Sequence, residues 1–121
     1  MKKRVIMLLV LSLMLSMLAM GCDGTVSGVS SASPEAFVKV WQAWNAGDMA
    51  EVRKWQKAGR EMCDILKNGS DMAVFKGALK IRGLDVGHMR LPQMDLLESE
   101  YAELEGKLTD WYARWGLELK A

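Results

Sequence analysis

Histidine and cysteine are nearly missing from this chain, which has one histidine, His88, and two cysteines, Cys22 and Cys63, in 121 residues. A zinc or iron centre needs several such ligands together, and no metal-ligand spacing occurs, so no metal or other cofactor is expected. The two thiols would be free to pair in an oxidising compartment, but their spacing does not demand it. Cys63 reads as a small buried apolar residue on a helix. His88 reads as a loop residue, because a general base needs an orienting partner and the sequence shows none. Charge of one sign is missing too: 16 Lys and Arg against 15 Asp and Glu leave +1. That balance provides no long-range field for nucleic acid or acidic substrates. No basic cluster interleaved with aromatics follows the N-terminus, so nucleic-acid binding is not expected.

What the chain does have is apolar surface to bury. Hydrophobic residues make up 50% and charged residues 26%, a globular composition in a length that suits one domain. Lys2, Lys3 and Arg4 precede an apolar run from Val5 to Met20, broken only by Ser12 and Ser16. As a helix the run would span about 24 Å, short of the ~30 Å hydrocarbon core. A basic start before a short apolar stretch therefore fits an export signal better than a transmembrane anchor. Ala19-Met20-Gly21-Cys22 resembles a lipoprotein cleavage box with Cys22 as the lipidated residue, although Ala19 stands where leucine is usual.

The remainder reads as all-α. Ser33-Pro34-Glu35 offers a hydroxyl N-cap, a first-turn proline and an acid at the positive dipole end. Phe37, Val40, Trp41 and Trp44 then form one apolar stripe, ended by Asn45-Ala46-Gly47. Asp48-Met49-Ala50-Glu51 has capping-box spacing and opens a second helix to about Lys67. Its inner face is Val52, Trp55, Gly59, Met62 and Leu66. Ser70 is the expected cap of a third helix to about Arg82, carrying Val74, Phe75, Ala78 and Leu79. The last helix, from about Asp95, repeats Leu97, Tyr101, Leu104, Leu108, Trp111 and Trp115 in steps of four and three, a seam between packed helices. Gly116 stands where a C-cap glycine belongs.

Two segments carry a resemblance. Gly83-Leu84-Asp85-Val86-Gly87-His88-Met89-Arg90-Leu91-Pro92 and Gly21-Cys22-Asp23-Gly24-Thr25-Val26-Ser27-Gly28, with the helix lengths between them, resemble the C-terminal part of the dihydrodipicolinate synthase and N-acetylneuraminate lyase family. The resemblance implies a C-terminal helical fragment of a TIM (β/α)8 barrel family, the barrel itself being absent. Residues 21–28 would match the turn and strand of the eighth barrel unit, Pro34 to Trp44 its closing helix, and the helices after Asp48 a C-terminal appendage. Lys76 falls at a lysine often found in the appendage's middle helix. The implied division is a signal-like or barrel-helix remnant over 1–20, a strand and helix remnant over 21–47, and a helical domain over 48–121.

For function the resemblance implies lyase or aldolase chemistry on 2-oxo acids such as pyruvate, through a lysine Schiff base. The family's catalytic lysine and tyrosine lie on earlier strands and have no counterpart here, so the chain by itself is expected to be inactive. Val26, Ser27 and Gly28 are the expected remnant of the substrate pocket. Lys39, Lys76 and Lys80 are not expected to replace the nucleophile, because a Schiff-base lysine requires burial or a cationic neighbour and these lie on amphipathic helices. A lone barrel strand cannot satisfy its backbone, so the region before Ser33 is expected to be poorly ordered. The family reading implies a cytoplasmic protein, with copies associating through the C-terminal helices. The alternative is a membrane-tethered helical lipoprotein, modified at Cys22, that works as an interaction module.

Overall fold

The computed structural model describes residues 27–120. They form five α-helices, α1 Gly28–Ala32, α2 Glu35–Asn45, α3 Met49–Ile65, α4 Met72–Ile81 and α5 Glu98–Arg114, with a 3-10 turn at Lys67–Gly69. No strand occurs among the described residues.

Helix starts depend on which side chain reaches the free N–H groups, and here the structure departs from the simplest reading of the sequence. At α3, Asp48 caps as expected, its Oδ1 accepting from the Ala50 and Glu51 amides, each at 3.1 Å. Glu51 does not close the reciprocal box; it pairs with Lys54 and accepts from the Trp55 indole. At α4 the cap is Asp71, which accepts from the Ala73 amide, while the Ser70 hydroxyl turns back to the Lys67 carbonyl. At α2, Pro34 takes the N-cap place with helical dihedrals, leaving the Ser33 hydroxyl to point inward. Helix α5 starts at Glu98 because Glu100 reaches back to the Leu97 amide at 2.9 Å, and Asp95 is used elsewhere. Asp48→Ala should lower stability by about 1 kcal/mol, read as a lower urea midpoint. An unmoved midpoint would show that the cap contributes nothing.

The core draws on residues both before and after Gly47: Val29, Ala32 and Ala36 meet Trp55, Met62, Leu66, Phe75, Leu108 and Trp111. The expected inner face of α3 is buried as read. Trp111 ties α5 to α3 through an indole hydrogen bond to the Ala58 carbonyl, 3.1 Å. Trp55 and Trp115 pack with centroids 5.7 Å apart.

Two apolar stripes divide. On α2, Phe37 lies over Gly59 and Val40 packs on the core, but Val38, Trp41 and Trp44 are about half exposed, at 48%, 48% and 50%. Neighbouring helices cover only one side of α2, so its remaining apolar residues have nothing to meet. On α5, Leu104, Leu108 and Trp111 are buried, whereas Leu97 sits at the helix start and is 68% exposed.

Gly77 lies where α4 and α5 pack. A Cβ there would stand 2.8 Å from Leu96 Cδ1 and 3.1 Å from Leu104 Cδ2. A mid-helix glycine costs about 1 kcal/mol against alanine, so this one is explained by the close approach. Gly77→Val should therefore destabilise by about 1–2 kcal/mol through overpacking, measured by urea unfolding. Parent-like stability would mean that Leu96 and Leu104 yield freely.

Candidate functional site

Of the expected pocket remnant, Val26 lies outside the described residues, as do Cys22 and the apolar run. Ser27 is extended, with φ −147° and ψ 136°, and Gly28 already belongs to α1. Gly28, expected at the end of the strand, instead opens a helical turn, in which the Ser27 carbonyl accepts from the Ser31 amide and from the Ser30 and Ser31 hydroxyls. Nor is the whole region before Ser33 loosely held, since Val29 is 5% and Ala32 1% exposed. The reason is that α1 bonds part of its backbone within the turn, the Ser31 and Ser33 amides donating to the Ser27 and Val29 carbonyls, while Val29 and Ala32 pack into the core. Beneath Gly28 lies Phe75, whose Cζ would be 3.3 Å from a Cβ at position 28.

The C-terminal end of α1 meets a buried polar network that the sequence did not announce. Arg82, 7% exposed, donates from Nη1 to the Ala32 carbonyl at 2.5 Å, from Nη2 to Glu35, and from Nε to the Leu119 carbonyl at 3.3 Å. The other Glu35 oxygen accepts from the Tyr112 hydroxyl at 3.0 Å and from Ser33 Oγ at 3.1 Å. Ser33 Oγ and the Tyr112 hydroxyl are 2.9 Å apart. No buried side-chain polar atom among the described residues lacks a partner. Tyr112 follows Leu108 by four residues and so lies on the buried face of α5, but no spacing in the sequence pairs it with Ser33, Glu35 or Arg82.

The lysines behave differently from one another. Lys39 and Lys80 are exposed, as expected of water-facing positions. Lys76 is half-buried and binds the loop between α4 and α5, donating to the carbonyls of Val86 at 3.2 Å and His88 at 2.6 Å. Gly83 and Gly87 shape that loop with φ of +95° and +66°, values that a side chain would oppose. His88 does have a carboxylate partner, Asp95, 2.8 Å from Nδ1, and the other Asp95 oxygen accepts from the Met89 amide at 2.7 Å. Those two contacts, the backbone one first, hold the Asp95 carboxyl below its usual range. The imidazole itself is 85% exposed, and the pair ties His88 and Met89 to Asp95 across the loop. Cys63 is half-buried and free, its thiol pushed up chiefly by burial. Between α4 and α5 a shallow hollow is rimmed by Lys67, Lys107, Glu100 and Glu103; Lys67 is paired with Asp71 and Lys107 with Glu103. Among the described residues no group of three His, Cys, Asp or Glu stands together as a metal site. No described helix is long and apolar enough to cross a membrane.

The family model for the dihydrodipicolinate synthetase family matches residues 11–110. The chain belongs to that family. Among curated relatives of the family, an uncharacterized DapA-like lyase of Halobacterium salinarum is 38% identical over 99 residues, covering 82% of this chain and 33% of the relative. A 4-hydroxy-tetrahydrodipicolinate synthase of Mycolicibacterium paratuberculosis is 32% identical over 83 residues, 69% of this chain and 28% of the relative. An N-acetylneuraminate lyase of Mediterraneibacter gnavus is 38% identical over 85 residues, 66% of this chain and 26% of the relative. The chain thus spans about a third or less of the length of these family members. No solved structure matches it.

Proposed function

We propose that these 121 residues are the C-terminal helical portion of a lyase or aldolase that makes or breaks a carbon–carbon bond through a lysine-bound 2-oxo acid such as pyruvate. In this reading Val26, Ser27 and Gly28 border the substrate pocket of the intact protein, and α2 covers the last part of its barrel. The observation that carries the reading is the outer face of α2: Val38, Trp41 and Trp44 are apolar and half exposed in a segment inside the family match. Fully burying a large apolar side chain is worth about 1.5–3 kcal/mol, and each of these half-exposed ones forgoes part of that, so such a face is explained by a covering layer.

By itself the chain is catalytically silent. Lys39, Lys76 and Lys80 offer no replacement nucleophile, because Lys39 and Lys80 are exposed and Lys76 is engaged with two carbonyls. The family match also runs through Cys22, which supports reading that cysteine as a family position rather than a lipidation site. Borohydride reduction of the purified chain with labelled pyruvate should leave it unlabelled. A stable adduct on any lysine would overturn the assignment of silence and of the missing nucleophile together.

A further inference from the structure

We infer that Arg82 is a positioning residue, whose guanidinium fork anchors the pocket-border segment Ser27–Ala32 to the C-terminal helices. The inference rests on the pocket reading of Ser27 and Gly28, but its geometry stands independently. Arg82 follows the last residue of α4, and its side chain reaches three separate parts of the chain. One arm holds the Ala32 carbonyl, the last carbonyl of α1. The second holds Glu35 in the first turn of α2, and Nε holds the Leu119 carbonyl beyond α5. The guanidinium also lies over the Tyr112 ring, 5.6 Å from its centroid, and Tyr112 bonds Ser33 and Glu35.

Helix α1 has five residues, too few to persist by hydrogen bonding alone. It is held at its start by Gly28 resting on Phe75 and at its end by this network. Between those two supports the position of Ser27 and Gly28 is set by α4, which carries both Phe75 and, at its end, Arg82. The C-terminal helices therefore place the pocket border. A single charge would not suffice for this: lysine would keep an ion pair with Glu35 but lacks the planar fork that serves Ala32, Glu35 and Leu119 together.

The test is amide hydrogen exchange by NMR on the whole chain, comparing parent, Arg82→Lys, Arg82→Gln and Glu35→Gln. The Ser33 amide, bonded to the Val29 carbonyl at 2.9 Å, reports the anchor, and the Leu108 amide reports the core. Arg82→Gln should speed Ser33 exchange at least tenfold relative to Leu108. Arg82→Lys should fail to restore Ser33 protection relative to Leu108. Equal acceleration at both amides, or full restoration by lysine, would reduce Arg82 to a general stabiliser and overturn the inference. If Arg82→Gln does not fold, Glu35→Gln decides: selective loosening at Ser33 supports the anchor, and no selectivity removes it. No 2-oxo acid enters this experiment, so it can fail while the borohydride result stands, and the reverse.

Discussion

Trp111→Ala is expected to remove most of the stability of this domain. Trp111 is fully buried, its indole N–H donates to the Ala58 carbonyl, and its ring meets Tyr112 edge-on with centroids 5.0 Å apart. Truncating a buried tryptophan to alanine costs about 3–5 kcal/mol, because the lost transfer energy is joined by that of an unfilled cavity. A domain of this size has about 5–15 kcal/mol to lose. The urea transition should move far towards zero denaturant, with the near-ultraviolet dichroism of the packed aromatics weakened. Trp111→Phe keeps much of the volume and lacks the donor, so a smaller loss of about 1–2 kcal/mol is expected from the missing hydrogen bond and partial void. If the alanine variant unfolds within about 1 kcal/mol of the parent, far below the usual range for such a truncation, Trp111 is not the centre of the core.

Alkaline solution should weaken the fold through Tyr112. Burial is the first cause that pushes its hydroxyl from 10.0 up to about 12; the neighbouring Glu35 carboxylate adds to the rise, while Ser33 and Arg82 oppose it. Since the folded value lies above the unfolded one, the contribution is fully present below about pH 10 and is lost as pH rises through about 12. In that window the unfolded chain has released a proton that the native chain still holds, so stability falls with pH. A shift of this size corresponds to a loss of roughly 2–3 kcal/mol. Tyr112→Phe should be less stable than the parent at neutral pH, having lost its bonds to Ser33 and Glu35, and the gap should close between pH 10 and 12. Urea unfolding of both proteins across that range measures it. A gap that stays constant would place the Tyr112 hydroxyl in an environment that does not resist ionisation.

The same residue shows where reading a sequence stops. The seam read for α5 leaves Tyr112 out, although it follows Leu108 by four residues and Leu104 by eight and so shares their face, where it is 1% exposed; what no spacing reveals is the polar groups its hydroxyl meets. Glu35 read as an acid at a helix start and Arg82 as the end of a helix; both descriptions hold locally and neither reveals the ion pair between them. Their separation of 47 positions is the reason, since nothing in local spacing encodes which distant polar groups will share a buried volume. Helix starts failed more narrowly. Ser33 and Ser70 were reasonable caps, but an aspartate one residue later, or a proline already in helical dihedrals, took the place.

The sequence by itself determined the helical class, the inner face of α3, the central positions of α5 and the family. These depend on periodic burial and on residues close together along the chain. Tertiary structure alone decided that Trp41 and Trp44 stay half exposed, because an apolar stripe specifies that burial is favourable without specifying that a partner is there. It also decided that Lys76 grips the Val86–His88 loop, that Asp95 holds His88, and that Arg82 ties α1 to the C-terminal helices. Each of those contacts depends on a side chain reaching across the packed interior or a turn to a carbonyl or carboxylate, a distance that only the folded chain sets.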